Sequence, residues 1–215
     1  MNVKGRTIGV AGVVAALALA SVAAAAVIAG TPGNDRLRGT AGADEIRAFA
    51  GNDWVSAHAG DDVVRAGTGH DVVEGALGND RAYGGVGRDV LRGGPDADVL
   101  WGGSEQDIVH GGQGADELHG GQGSDVVDGD SGDDRLFGGR GSDVVRGGPG
   151  ADVLHALAAD GDVDVLHCGP GPDTARVLAS ERPRTRLTGC ETVVLVAAPT
   201  ADEASAEGDA DAEAE

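Results

Sequence analysis

Aspartate stands at every ninth position of this chain from Asp35 to Asp152, fourteen times without a gap. Two residues after each comes an apolar side chain, from Leu37 and Ile46 to Val145 and Leu154, with only Ala82 small. Two residues before each comes glycine, except where Asp96 and Glu105 stand. A strict short period of glycine, acid and one aliphatic residue cannot build an ordinary globular core. It describes a solenoid whose turns are lined with carboxylates.

Composition narrows the use of such a rod. Aromatic residues make up 2% of the 215 positions while glycine fills 39, so large side chains cannot fill a conventional interior. The formal charge of −20 argues against nucleic acid or an anionic membrane surface as partner, and makes metal cations the natural counterpart. Acidic, glycine-rich chains can also be plain disorder. The phased aliphatic position argues for order here, at least once the charge is neutralised.

The chain divides into four parts. Residues 1–29 read as an export signal: Lys4 and Arg6 precede an apolar stretch with small-residue cleavage sites at Ala18-Leu-Ala20, Ser21-Val-Ala23 and the run to Ala26. The alternative is an uncleaved anchor, since ~20 apolar residues can span a bilayer. Residues 30–155 hold fourteen uninterrupted nonapeptides. The period then slips by three residues and returns for Asp164-Val-Leu166 and Asp173. Residues 156–198, with an apolar strand-like run at Thr192–Ala198, are expected to cap the open end of the solenoid. Residues 199–215 carry seven acids and are expected to be a disordered tail.

The complete repeat appears in Gly84-Gly85-Val86-Gly87-Arg88-Asp89, Gly111-Gly112-Gln113-Gly114-Ala115-Asp116 and Gly120-Gly121-Gln122-Gly123-Ser124-Asp125. It recurs in Gly138-Gly139-Arg140-Gly141-Ser142-Asp143 and Gly147-Gly148-Pro149-Gly150-Ala151-Asp152. This pattern, GGxGxDxUx with U a large aliphatic, resembles the RTX (repeats-in-toxin, hemolysin-type) calcium-binding nonapeptide. The resemblance implies an all-β fold, a parallel β-roll in which each nonapeptide makes a six-residue turn and a three-residue strand. Two nonapeptides would complete a coil, giving about seven coils stacked ~4.8 Å apart.

The resemblance also implies calcium as the bound ion, held between one turn and the next but one by an aspartate from each. That pairs Asp98 with Asp116, Asp107 with Asp125, Asp116 with Asp134, Asp125 with Asp143, and Asp134 with Asp152. The stronger candidate ligands are Asp89, Asp98, Asp107, Asp116, Asp125, Asp134, Asp143 and Asp152. Asp35, Asp44, Asp53, Asp62, Asp71 and Asp80 are the weaker, because repeats starting at Ala48, Ala57 and Ala66 depart from the pattern. Fourteen turns allow at most about twelve shared sites. Calcium takes about six to eight oxygens, carboxylates and backbone carbonyls alike. Glycines at positions 1, 2 and 4 of the repeat would let the backbone take positive φ and aim its carbonyls at one point. Asp96 and Glu105 put two of those turns in question. The competing reading is a metal-free solenoid whose aspartates merely cap turns. One aliphatic side chain per nine residues is a thin core against the entropy of ordering the chain, so folding is expected to await the ion.

Cys168 and Cys190, the two cysteines, suggest a disulfide in an exported chain, with two buried free thiols as the alternative. Their surroundings resemble the end cap of secreted actinobacterial proteins of this type. The six histidines show no zinc spacing and no nucleophile–base arrangement stands out, so a non-enzyme is expected. Residues eighteen apart should stack on one sheet. Tyr83, Trp101, His119, Phe137 and His155 would then form one outward ladder, and Trp54, Val72, Val90, Ile108, Val126 and Val144 another. Strand propensity explains such rows; a docking face for a glycan or protein partner is the functional reading. The expectation is a secreted calcium-binding rod, without nucleic acid or, once the leader is removed, a membrane as partner. A calcium-stabilised adhesion or matrix-interaction module is the alternative.

Overall fold

The computed structural model describes residues 25–197. Most of the expected leader and all of the acidic segment 199–215 lie outside them. Nineteen strands make up the described chain. The first seven are β1 (Val27–Ala29), β2 (Arg36–Arg38), β3 (Glu45–Ala50), β4 (Trp54–Ala59), β5 (Val63–Thr68), β6 (Val72–Leu77) and β7 (Arg81–Val86). Six more follow in the complete repeats: β8 (Val90–Pro95), β9 (Val99–Ser104), β10 (Ile108–Gln113), β11 (Glu117–Gln122), β12 (Val126–Ser131) and β13 (Arg135–Arg140). The last are β14 (Val144–Arg146), β15 (Val153–Ala156), β16 (Val165–His167), β17 (Thr174–Leu178), β18 (Arg186–Thr188) and β19 (Thr192–Val196).

Odd-numbered strands form one ten-stranded sheet and even-numbered strands a nine-stranded sheet. Every pairing is parallel, and within the repeats each residue lies beside the one eighteen positions on, as Leu118 beside Leu136 and Val109 beside Val127. The chain therefore coils, crossing from one sheet to the other every nine residues. This is the expected β-roll, with about nine coils rather than seven. The two extra coils come from outside the nonapeptides: β1 pairs with β3, and β16 to β19 extend both sheets beyond the slip. Residues 156–197 thus continue the ladder, their pairing offset by 21 residues across the three-residue insertion, as Val144 beside Val165.

Strands run to six residues in the repeats, not three. Pairing covers the three residues after the aspartate and resumes at the second and third residues of the next repeat, as Gly112 beside Asp130 and Gln113 beside Ser131. Stacking identical turns in register carries backbone hydrogen bonding into what the sequence suggested was turn. Successive residues of a strand face opposite sides, and here two positions face inward. The eighth position holds the core, with Leu37, Ile46, Leu91, Leu100, Leu118, Leu136 and Leu154 fully buried. The first position, glycine or alanine, lies inward beside it, with Ala48, Ala57 and Ala66 also fully buried.

Outward, the expected aromatic ladder is present. Tyr83, Trp101, His119, Phe137 and His155 stack in sequence with centroid spacings of 4.5, 5.5, 4.5 and 4.2 Å. The rings are near parallel, so each lays its face on its neighbour. A disulfide joins Cys168, just after β16, to Cys190, just before β19. It settles the choice between bridge and free thiols.

Candidate metal centre

The coil places the periodic aspartates in two rows, one along each edge where the chain crosses between sheets. Within a row, neighbours are eighteen residues apart and make one repeated bond. The backbone N–H of each aspartate donates to Oδ1 of the next, as Asp89 to Asp107 and Asp98 to Asp116 at 2.8 Å. The rows begin with Asp35 and Asp44, whose N–H groups donate to Asp53 and Asp62 at 2.7 Å. One carboxylate oxygen is thereby spoken for from Asp53 onward.

The other is not. Oδ2 of Asp53, Asp62, Asp71, Asp80, Asp89, Asp98, Asp107, Asp116, Asp125, Asp134, Asp143 and Asp152 is buried with no hydrogen-bond partner among the described residues. These side chains are about 1–3% exposed. A buried carboxylate without a partner is costly, and its proton affinity rises in response. Burial pushes Asp107 up to about 8, against a compensating N–H bond from Asp89, with the charges of Asp89, Asp125 and Glu105 pushing the same way. Asp80, Asp89, Asp98, Asp134 and Asp143 are raised to about 7 by the same leading cause. Asp53, Asp62, Asp116, Asp125 and Asp152 reach about 6, and Asp71 is raised too. Rows of aimed, desolvated anions are what a cation of charge two would satisfy.

The glycines divide by role. Most of those at position 4, such as Gly87 at φ 132°, and those at position 2, such as Gly85 at φ 105°, adopt the left-handed region as expected; Gly33, Gly42 and Gly150 do not. Position-1 glycines do not. They are needed for space: a Cβ on Gly102 would lie 2.6 Å from Asp107 Oδ2 and 2.6 Å from the Gly120 carbonyl. On Gly84 it would meet the Gly102 carbonyl at 2.5 Å and Asp89 Oδ2 at 2.6 Å. Each such glycine therefore leaves open a niche where a carboxylate oxygen and a carbonyl of the next coil converge. Asp96 and Glu105 accept the left-handed backbone that glycine supplies elsewhere, at φ 78° and 82°. Both turns keep their place in the rows.

Asp35 and Asp44 stand apart. The Thr31 N–H and hydroxyl both donate to Asp35 Oδ2, at 2.6 and 3.0 Å. Thr40 bonds Asp44 in the same way, through its N–H to Oδ2 at 2.5 Å and its hydroxyl to Oδ1 at 3.0 Å. Protein donors here take the lone pairs left open further along. Asp164 and Asp173 extend the rows beyond the repeats, their Oδ1 atoms accepting from Asp143 and Asp152 at 3.1 and 2.9 Å. Asp173 Oδ2 is buried and unpartnered, and burial raises Asp164 to about 6. They are missing from the candidate ligands above, although their nine-residue separation was the signal. A further donor group also escaped notice. His110, Asp128 and Asp130 bring ligand atoms within 4.8 Å of one another on the outer face of the nine-stranded sheet. Their eighteen-to-twenty-residue separation matches no linear zinc motif, and Arg146, 3.9 Å from Asp128, already supplies a cation.

The family model described as RTX calcium-binding nonapeptide repeat (4 copies) matches this chain over residues 29–64, 48–82, 56–91, 83–118, 92–127, 101–136, 119–154 and 128–163. Together the matches run unbroken from residue 29 to 163, more than half of the chain. No curated protein matches it.

Proposed function

The chain belongs to the family of RTX calcium-binding nonapeptide repeats, and from that premise we propose an exported, non-catalytic calcium-binding rod that folds when the ion binds. Calcium binding by a β-roll follows from the family itself. The buried, unpartnered Oδ2 row carries the further reading. Asp53 through Asp152 would contribute the carboxylates, with position-1 carbonyls such as those of Gly102, Gly120 and Gly138 beside them. Asp89 through Asp152 form the stronger set because most of their turns keep the glycine niche. Bound calcium supplies the positive charge that the stacked aspartates lack.

Without that charge, more than ten buried carboxylates repel one another along the two edges. Linkage of metal binding to folding follows, because the unfolded chain presents no assembled site. Extracellular calcium modules bind at roughly 10⁻⁴–10⁻³ M, so such a chain would stay open inside a cell and close outside it. The basic and apolar start of the sequence supports export. Far-UV circular dichroism in chelator and then in millimolar calcium is the test. Above about pH 8, where the row carboxylates are ionised, the strand signal should appear only with calcium; an equal signal in chelator at that pH overturns the reading.

A second reading, a calcium-stabilised adhesion module, rests on the nine-stranded sheet. Its outer row from Trp54 to Val144 leaves Ile108 40% exposed, a surface suited to a glycan or protein partner. Calcium-dependent capture of a glycan that Ile108→Ser abolishes would favour it.

A further inference from the structure

Away from the two aspartate rows, the outer face of the nine-stranded sheet gathers a different donor set. His110 in β10 and Asp128 in β12 are outward residues of neighbouring strands and lie side by side in the ladder. Asp130 follows two residues after Asp128. It stands at the repeat position that Gly94, Gly112 and Gly148 fill in adjacent coils, and takes their left-handed backbone at φ 65°. Its carboxylate turns back over the pair. Asp130 Oδ2 lies 3.3 Å from His110 Nδ1, and the Asp130 N–H donates to Asp128 Oδ1 at 3.2 Å. One ligand atom from each of the three side chains falls within 4.8 Å of the others.

The spacing is that of a coordination edge. A charge-assisted N–H···O bond is ordinarily about 2.7–2.9 Å long, shorter than the His110–Asp130 approach. Two ligands held at ~2.0–2.1 Å by a tetrahedral ion lie about 3.3 Å apart. The surrounding charge leaves the group anionic. β8 brings Arg92 beside His110, and β14 brings Arg146 beside Asp128. Arg92 makes no ion pair among the described residues, and Arg146 reaches Asp128 alone, at 3.9 Å. That is close to the outer limit of an ion pair. The His110, Asp128 and Asp130 side chains are 34, 21 and 48% exposed, so water can complete a coordination shell.

Donor chemistry separates this set from the rows. The rows offer oxygen alone, which suits calcium. A ring nitrogen with two carboxylates is a borderline set, of the kind zinc binds through three protein ligands and a water. All three donors stand on the six-residue strands β10 and β12, joined in register at His110–Asp128 and Gly112–Asp130. The folded roll therefore holds them together whether or not the rows are filled.

We propose that His110, Asp128 and Asp130 form a zinc site on the outer face of the nine-stranded sheet, separate from the calcium rows. A ring nitrogen of His110 and one oxygen from each aspartate hold the ion, with water in the remaining position. Arg146, itself 45% exposed, gives up only a surface contact with Asp128.

Zinc titration calorimetry on the full-length chain in saturating calcium tests it. The expected result is a single zinc ion bound beyond the calcium, lost in His110→Gln and in Asp130→Gly. The second variant restores the glycine of the adjacent coils, so it removes the carboxylate without asking anything new of the backbone. His58→Gln, which changes a histidine in β4, should leave the zinc bound. Absence of zinc binding overturns the proposal. So does zinc uptake that survives both His110→Gln and Asp130→Gly, or that further calcium displaces, since either result assigns the metal to the aspartate rows. Circular dichroism of each sample with and without calcium reads the calcium-dependent fold separately, so failure of the zinc site and failure of the proposed function are distinguishable.

Discussion

Asp107 condenses the chemistry of the rod into one side chain. Its Oδ1 accepts the Asp89 N–H, its Oδ2 is buried without a partner, and burial lifts its proton affinity to about 8. The sign of the pH effect follows. In the folded, metal-free chain these carboxylates hold protons more tightly than the ordinary value of 3.8, so the folded state binds more protons between about pH 4 and pH 6–8. Stability without metal is therefore greatest in acid and is lost as pH rises through that window. With calcium the dependence reverses, because protons and the ion compete for one oxygen. Circular dichroism titrations in chelator and in calcium should run in opposite directions. Asp107→Asn keeps the Oδ1 acceptor and removes the charge, so calorimetry should count fewer calcium ions with little loss of strand signal. Gly102→Ala places a methyl between Asp107 Oδ2 and the Gly120 carbonyl. Overpacking of that kind costs roughly 1–3 kcal/mol, read as a lower calcium-bound melting midpoint, and should weaken calcium as well.

Single strands show how position in the coil decides a side chain's work. In β9, Leu100 fills the core while Trp101 points outward between Tyr83 and His119. The stacking changes how the aromatic row reads. Rings whose faces lie on one another present edges to solvent, so they hold coil to coil before they offer a surface to a sugar. Trp101→Ser should accordingly lower the calcium-bound stability by about 0.5–1.5 kcal/mol beyond the lost area, visible as a lower melting midpoint. His155, at the end of the column, is 5% exposed, and burial first, then Arg176 and Arg135, push it down to about 4. It stays neutral there at physiological pH. The loose repeats of the first coils differ at the same resolution. Thr31 and Thr40 complete Asp35 and Asp44 with hydroxyls, whereas Ala48, Ala57 and Ala66 put a methyl where later repeats keep glycine.

At the scale of the whole molecule, the two sheets grow by addition, and their ends are where order is cheapest to lose. The Cys168–Cys190 bridge spans 22 residues and ties β16 to the edge of the final coil. Closing a loop of that size is worth about 3 kcal/mol in chain-entropy terms. The Cys168→Ser/Cys190→Ser variant should lose hydrogen-exchange protection in β16 to β19 while the central coils stay protected in calcium. The same open-ended growth lets residues 156–197 join the ladder even though their nine-residue period is broken.

The sequence by itself determined a solenoid with an inward aliphatic position and periodic aspartates, and its resemblance to the RTX nonapeptide implied the roll and the eighteen-residue stacking, because in a solenoid every long-range neighbour is a fixed short distance away in the chain. Leu118 meets Leu136 for no reason beyond period. Contacts that depend on how a turn is filled had no such signal. Only the tertiary structure decided that position-1 glycines serve space and not φ, that one carboxylate oxygen in each aspartate from Asp53 to Asp152 is left unpartnered, and that Asp164 and Asp173 rejoin the rows after the slip. It also brought His110, Asp128 and Asp130 together. Those outcomes depend on which oxygens and methyls share a volume a few ångströms across, and a repeat written along a line does not state the volume between its coils.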